Sequence, residues 1–313
     1  MYIGIDVGGT NLKAGLVDEA GHILATEKTP LGTFPGAEGF AATLAELSAA
    51  VMRQGGTSPE EIAYVGIGIP GAVSEGKILY TANIPMRDVP LEQLFRQHLD
   101  LPVLLGNDAD CAAVGEWACG AGRGTRDFLV LTLGTGIGGG LILGGRLYAG
   151  QGAGGEVGHM VVEKDGAPCN CGRRGCWEAY ASATGLIRLT KEAMAVHPES
   201  ALHALAAAEG GVEGRTAFQA AQAGDETALE VCRSYVSYLA AGVTNLVNIL
   251  SPEVVAMGGG VAAAPDALLL DPLRETVERE CYARHTGRAP RIVHAELGND
   301  AGIIGAALLG RAQ

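Results

Sequence analysis

The chain has 313 residues, 48% of them hydrophobic and 18% charged, with a formal net charge of -13. That length accommodates two ordinary domains, each with its own core, and the balance is that of a globular protein rather than a disordered one. An acidic surface without a block of Lys or Arg argues against a main role on nucleic acid or an anionic membrane. It leaves phosphate ligands open, because backbone amides bind phosphate without side-chain cations.

No apolar run approaches membrane-spanning length, and Met1 leads straight into a strand-like segment. Neither a membrane span nor a signal peptide is expected, and a cytoplasmic protein is. Seven cysteines in such a chain point to metal or free thiols rather than a disulfide frame. Cys111, Cys119, Cys232 and Cys281 are scattered through helix-like apolar stretches and read as inert buried thiols.

In chain order, residues 2–7, 12–17 and 22–27 read as three strands, joined by the turns Gly8-Gly9-Thr10 and Asp18-Glu19-Ala20-Gly21. A helix is expected over 37–54, ended by Gly55-Gly56, and a buried strand over 62–69, closed by Pro70-Gly71. A short helix over 91–98 and a strand over 103–105 follow. That strand delivers Gly106-Asn107-Asp108 to the point where another helix begins. Then the opening pattern returns, with strands over 128–133, 137–143 and 146–149 and the turns Gly134-Thr135-Gly136 and Gly144-Gly145. The repeated order of strands and turns predicts an internal duplication: two α/β halves with a cleft between domains. The rest reads as mainly helical, with a long helix over 226–250, a strand over 254–257 running into Gly258-Gly259-Gly260, and a closing helix over 301–311. Residues 1–107 with 300–313 are expected to form a small α/β domain, and 108–299 a large one.

Two glycine motifs are decoys. Gly71-Ala72-Val73-Ser74-Glu75-Gly76-Lys77 is nearly a P-loop, but Ile78 stands where a hydroxyl must hold magnesium and no helix opens after it, so a hairpin is expected. Gly134-Thr135-Gly136-Ile137-Gly138-Gly139 matches a dinucleotide fingerprint but is followed by another strand rather than a helix. Taken singly, a glycine turn is more often a tight hairpin and Asp6 a turn-capping residue. Two matched turns, Gly8-Gly9-Thr10 and Gly134-Thr135-Gly136, together with Gly258-Gly259-Gly260, favour a nucleotide phosphate site, with Asp6 placed for Mg2+ and Asn11 and Lys13 just beyond the first turn.

His159, Cys169, Cys171 and Cys176, with nine, one and four intervening residues, form a Cys3His set. Zinc favours four such ligands in a closed structural site, and Gly172 and Gly175 let the chain fold tightly around one ion. Asn107 and Asp108, at a strand-to-helix junction, read first as helix-capping residues.

Together these motifs resemble the ROK group of sugar kinases and repressors, within the actin-like ATPase superfamily. The resemblance covers essentially the whole chain. It rests on Asp6-Val7-Gly8-Gly9-Thr10, Gly106-Asn107-Asp108-Ala109-Asp110, Gly134-Thr135-Gly136-Ile137-Gly138-Gly139-Gly140, Gly155-Glu156-Val157-Gly158-His159 and Cys169-Asn170-Cys171-Gly172-Arg173-Arg174-Gly175-Cys176-Trp177-Glu178. It implies a duplicated actin-like (ribonuclease H-like) fold and an ATP-dependent hexose kinase using Mg2+ with ATP, carrying a structural Zn2+. Asp108 is implied as the base that accepts the sugar hydroxyl proton, in a reaction that otherwise needs mostly positioning and charge stabilisation. Asn107, Glu156, His159 and Glu178 are implied around the sugar, with Gly71 and Asn83 from neighbouring loops, and Gly258-Gly259-Gly260 against the adenosine. His159 would give one ring nitrogen to zinc and turn the other toward the sugar. Loss of the metal is accordingly expected to hurt sugar affinity more than nucleotide affinity, because its ligands neighbour Glu156 and Glu178 rather than the phosphate turns.

Cys176-Trp177-Glu178-Ala179-Tyr180-Ala181-Ser182 looks most like bacterial glucokinases, so glucose and ATP are the expected partners, and N-acetylglucosamine or N-acetylmannosamine the alternative sugars. A homo-oligomer, dimer or tetramer, is implied. A repressor reading is disfavoured because Asp6 stands too near the start of the sequence for a preceding helix-turn-helix domain.

Overall fold

The computed structural model describes residues 1–32, 34–81 and 84–312. A meander opens it: β1 (Tyr2–Val7), β2 (Asn11–Val17) and β3 (Ile23–Pro30), followed by α1 (Gly36–Gly55) and β4 (Val65–Ile69). A small hairpin sheet comes next, of β5 (Gly71–Ser74), β6 (Lys77–Thr81) and β7 (Arg87–Val89). Residues 71–77 are therefore a hairpin, as their context predicts. After α2 (Leu91–Arg96), β8 (Val103–Asn107) runs straight into α3 (Asp108–Cys119). The second meander is β9 (Phe128–Leu133), β10 (Ile137–Leu143) and β11 (Arg146–Leu147).

Helices dominate the following stretch: α4 (Glu178–Ala181), α5 (Ala183–Val196), α6 (Leu202–Glu209), α7 (Thr216–Gln222) and α8 (Glu226–Leu250). Then come β12 (Val254–Gly258), α9 (Leu270–Glu280), β13 (Arg291–His294) and α10 (Ala301–Ala307). The closing helix is shorter than expected: it stops at Ala307, and a separate 3-10 turn covers Leu309–Arg311. None of the helices among the described residues is long and apolar enough to cross a membrane.

The duplication is visible in the strand order. One five-stranded sheet runs β3-β2-β1-β4-β8 and the other β11-β10-β9-β12-β13, the same order of a meander followed by two later strands. In the first, β1–β2 and β2–β3 are antiparallel, while β1–β4 and β4–β8 are parallel. In the second, β10–β11 is antiparallel and β12–β13 parallel. The sequence reading found β9, β10 and β12 but missed β13, which at four residues carries too little periodicity to stand out.

By compactness the chain divides into Met1–Val130, Gly140–Gly155 and Ala295–Gln313 as one unit, and Leu131–Gly139 and Glu156–His294 as the other. The expected boundary between 107 and 108 differs, because α3 packs against α10 within the first unit. The cause is the absence of side chains at the contact. A Cβ on Gly305 would fall on the Cys111 carbonyl oxygen, and one on Gly115 would lie 2.5 Å from the Ala301 carbonyl oxygen. On its other flank α10 approaches β1 and β4 as closely: Cβ atoms on Gly4 and Gly66 would strike the carbonyl oxygens of Ile303 and Ala306.

Glu116 fastens the same region. It is 1% exposed, and its carboxylate accepts the amides of Leu297 (2.7 Å), Glu296 (3.0 Å) and Ala121 (3.0 Å), holding the segment that leads into α10. Burying a carboxylate is costly unless its oxygens are so bonded. On the sheet's other side, α1 covers the meander with Phe40, Leu44, Leu47 and Val51, spaced along one helical face.

Gly305→Ala should be destabilising by about 1–3 kcal/mol or more, the scale of overpacking a tight core, since backbone rather than a flexible side chain must move. A chemical denaturation midpoint unchanged from wild type would show that α10 can shift without cost.

Candidate active site and metal centre

In the first unit, Asp6 lies on β1 opposite Lys13 of β2, an opposite-charge cross-strand pair. Burial raises the Asp6 pKa above the ordinary carboxylate value, and the Lys13 charge partly opposes this. A cation beside Asp6 would favour its charged form further. The turn after β1 is closed by the Gly8 amide on the Asn11 carbonyl (3.0 Å), and the Thr10 carbonyl accepts from the Leu31 amide (2.9 Å). Asn11 Nδ2 donates to Thr10 Oγ1 at 2.9 Å, leaving Gly9 and Thr10 at the exposed tip.

At the end of β8, Asn107 caps α3: its Oδ1 accepts the amides of Ala109 (2.8 Å) and Asp110 (3.4 Å), while Nδ2 donates to the Gly71 carbonyl at 3.1 Å. The capping reading therefore holds for Asn107. Asp108, the first helical residue, is exposed, and its Oδ1 accepts from its neighbour's amide, that of Ala109, at 3.0 Å. Gly71 is thus brought to Asn107. Asn83 lies outside the described residues.

The second unit holds the four residues whose chemistry suits a metal. One ligand atom from each of His159, Cys169, Cys171 and Cys176 lies within 4.8 Å of all the others. Cys171 Sγ and Cys176 Sγ are 3.6 Å apart, and Cys169 Sγ is 3.7 Å from His159 Nδ1. A tetrahedral ion with sulfur at about 2.3 Å requires sulfur–sulfur separations of about 3.8 Å, so the donor set and its spacing fit. The loop is tight for a backbone reason: Cys169 and Gly172 amides close onto Arg173 and Cys169 carbonyls (2.9 and 3.0 Å), with Gly172 and Gly175 at φ of 89° and 77°. Burial pushes the Cys169 and Cys176 thiols up, whereas the Arg173 backbone amide pulls Cys171 down. A bound metal would take all three as thiolates.

The end of the loop is anchored in the core. Trp177 is fully buried, donates from Nε1 to the Tyr238 carbonyl (2.8 Å), and packs so closely on α8 that a Cβ on Gly242 would fall within its ring. Tyr180 stacks on Tyr238 with centroids 4.4 Å apart, and its hydroxyl accepts the Ala167 amide at 2.6 Å. His159 is thereby set with Nδ1 toward Cys169 and Nε2 3.9 Å from Glu156 Oε2.

Glu178 is shared between two features. Its Oε1 lies 3.0 Å from Cys169 Sγ and 3.6 Å from His159 Nδ1, and a Cβ on Gly136 would come within 2.5 Å of its Oε2. The Cys3His loop therefore borders the second glycine turn.

That turn edges a cavity of about 650 Å3, within the usual range for small-molecule sites. Gly134, Thr135 and Gly260 line it, and Gly259 is required beside it, with φ of 85° and the Leu133 backbone within 2.5 Å of where a Cβ would stand. Ala183, Phe218, Gln219 and Gln222 also line it and were not foreseen. They are single faces of α5 and α7, and no local motif marks them.

The chain matches the ROK family over residues 2–313. A glucokinase of Streptomyces coelicolor is 38% identical over 317 residues, covering 99% of this chain and 98% of its own. One from Thermotoga maritima is 39% identical over 309 residues, covering 97% and 95%. Among solved structures, the ROK family glucokinase of Streptomyces griseus, in complex with glucose and AMPPNP, superposes with a TM-score of 0.79 at 37% identity over 98% of both chains. The two sheets of equal strand order are those of the duplicated actin-like ATPase fold. Similarity that runs from end to end at this level makes the chain a member of the ROK family.

Proposed function

We propose that this protein is an ATP-dependent glucokinase, transferring the γ-phosphoryl group of ATP to the 6-hydroxyl of glucose to give glucose 6-phosphate and ADP. The glucokinases that resemble it at 38–39% identity support this reading. The observation that carries it is the exposed Asp108 carboxylate at the first position of α3, directly after the Asn107 cap.

Asp108 accepts the proton as the sugar oxygen bonds to the γ-phosphorus and the bond to the bridging oxygen of ADP breaks. Helix dipoles at the start of α3 suit an anionic base there. Asn107 spends Oδ1 on two amides and one Nδ2 hydrogen on Gly71, which leaves its second Nδ2 hydrogen for a sugar hydroxyl. Glu156, Glu178 and His159 Nε2 accept or donate to the remaining hydroxyls, and the amides of the two glycine turns bind phosphate oxygens. Asp6 would hold Mg2+, directly or through water; with the nucleotide bound, the ion supplies charge neutralisation. His159 Nδ1 and the three thiolates would hold Zn2+, which would supply a structural tie fixing the loop and the imidazole.

Purified protein should release ADP from ATP only with Mg2+ and a hexose present, and a panel of sugars should put glucose first. Turnover with N-acetylglucosamine or N-acetylmannosamine but not glucose would overturn the sugar assignment, and no turnover with any sugar would overturn the kinase.

Asp108→Asn keeps the shape but cannot take the proton, so turnover should fall about a hundredfold or more, the scale of a general base, with glucose affinity nearly intact by calorimetry. Near-normal turnover would return Asp108 to a purely structural role at the helix start.

Metal analysis should find one zinc per chain. Removing it, or Cys171→Ser, should weaken glucose binding about ten- to a hundredfold and lower the unfolding temperature, with a smaller loss for an ATP analogue through Glu178 and Gly136. Unchanged glucose affinity in metal-free protein would sink the role given to the loop.

A further inference from the structure

The second glycine turn is held from behind by the start of α5. The Ala183 amide donates to the Gly134 carbonyl at 2.8 Å, and the Thr184 hydroxyl donates to the Thr135 carbonyl at 2.8 Å. The turn closes on itself through the Gly134 amide and the Gly136 carbonyl, 3.0 Å apart.

Peptide planarity gives these two contacts a directional consequence. In a trans peptide the N–H points opposite to the C=O of the same unit. Fixing the Gly134 carbonyl toward α5 therefore turns the Thr135 amide away from it, and fixing the Thr135 carbonyl does the same for the Gly136 amide. Gly134 and Thr135 line the cavity of about 650 Å3, and Ala183 forms part of the same wall.

The Thr184 hydroxyl is not engaged in supporting its own helix. Ser182 performs the capping of α5, accepting the Gly185 amide at 3.1 Å. Other hydroxyls in helices here, those of Thr43, Ser48 and Thr190, bond the carbonyl four residues back. Thr184 instead reaches a carbonyl 49 positions away in sequence.

We propose that Thr184 is a positioning residue for the phosphoryl donor, aiming the Gly136 amide at the nucleotide phosphates. The inference rests on the kinase reading. It adds a residue outside every glycine, carboxylate and metal motif of the chain. Because α4 and the start of α5 follow directly on Cys176, the segment that completes the metal loop also sets the turn that holds the nucleotide.

The test compares wild type, Thr184→Val and Thr184→Ser, each titrated separately with a non-hydrolysable ATP analogue and with glucose, alongside KM for ATP, kcat, zinc content and unfolding temperature. Removing the neutral hydrogen bond that orients the Gly136 amide should weaken the nucleotide about three- to tenfold in Thr184→Val. Glucose affinity and zinc content should stay at wild-type values, and Thr184→Ser, which keeps the hydroxyl, should restore the nucleotide. Unchanged nucleotide affinity in Thr184→Val would overturn the proposal. So would equal losses for both substrates with a lowered unfolding temperature, or a serine variant as weak as the valine. Wild type that binds glucose but no ATP analogue would instead overturn the kinase reading, and this inference with it.

Discussion

The first unit depends on backbone meeting backbone. Helix α10 lies against β1 and β4 on one flank and α3 on another, and at each contact a glycine stands where a methyl group would collide with a carbonyl oxygen. Close-packed interiors cannot absorb a misfit of that size without moving an element. Asp6 on β1 and Asp108 at the head of α3 are both placed by elements that α10 touches. A Cβ on Gly302 would stand only 3.1 Å from the Asp6 carboxyl carbon. The Glu116 carboxylate, with three amides on its two oxygens, makes the arrangement specific in a way that apolar contact alone would not.

The second unit concentrates its chemistry in one short run of chain. From His159 to Thr184 come the Cys3His set, the carboxylate that approaches both that set and Gly136, and the two donors that hold the second glycine turn. Trp177, buried against Gly242 of α8, is the fixed point of that run. The Cys3His loop and the second glycine turn are consequently not independent within this unit. The loop meets that turn through the Glu178 side chain at Gly136 and through the Ala183 and Thr184 donors at Gly134 and Thr135.

Much of this was legible in the sequence. Strands β1, β9 and β10 are short apolar segments bounded by glycine turns, and their expected bounds match those observed. The Cys3His set was readable because metal ligands obey distance rules that survive as sequence spacing. The near P-loop at 71–77 was excluded by one missing hydroxyl and one missing helix, and it is a hairpin. What could not be read depends on contacts between distant segments. The cavity residues Ala183, Phe218, Gln219 and Gln222 are ordinary helical positions until α5 and α7 are packed. Asn107 fits a cap and a ligand equally well by residue type, and only its bonds to Ala109, Asp110 and Gly71 show how its amide is used. The division at 107/108 missed the helix pairing of α3 with α10, which no local pattern announces.

The placement of α10 also orders events during synthesis. The first unit is assembled from three stretches, and Ala295–Gln313 follows all of the second unit in the chain. A nascent chain emerging from the ribosome therefore exposes the backs of β1 and β4, with their glycine-paved surface, until the closing helix is made. The second unit meanwhile has all of its residues by His294. The half that is translated first is the half that must wait, and a stall in translation near residue 300 would leave a complete second unit tethered to an open sheet.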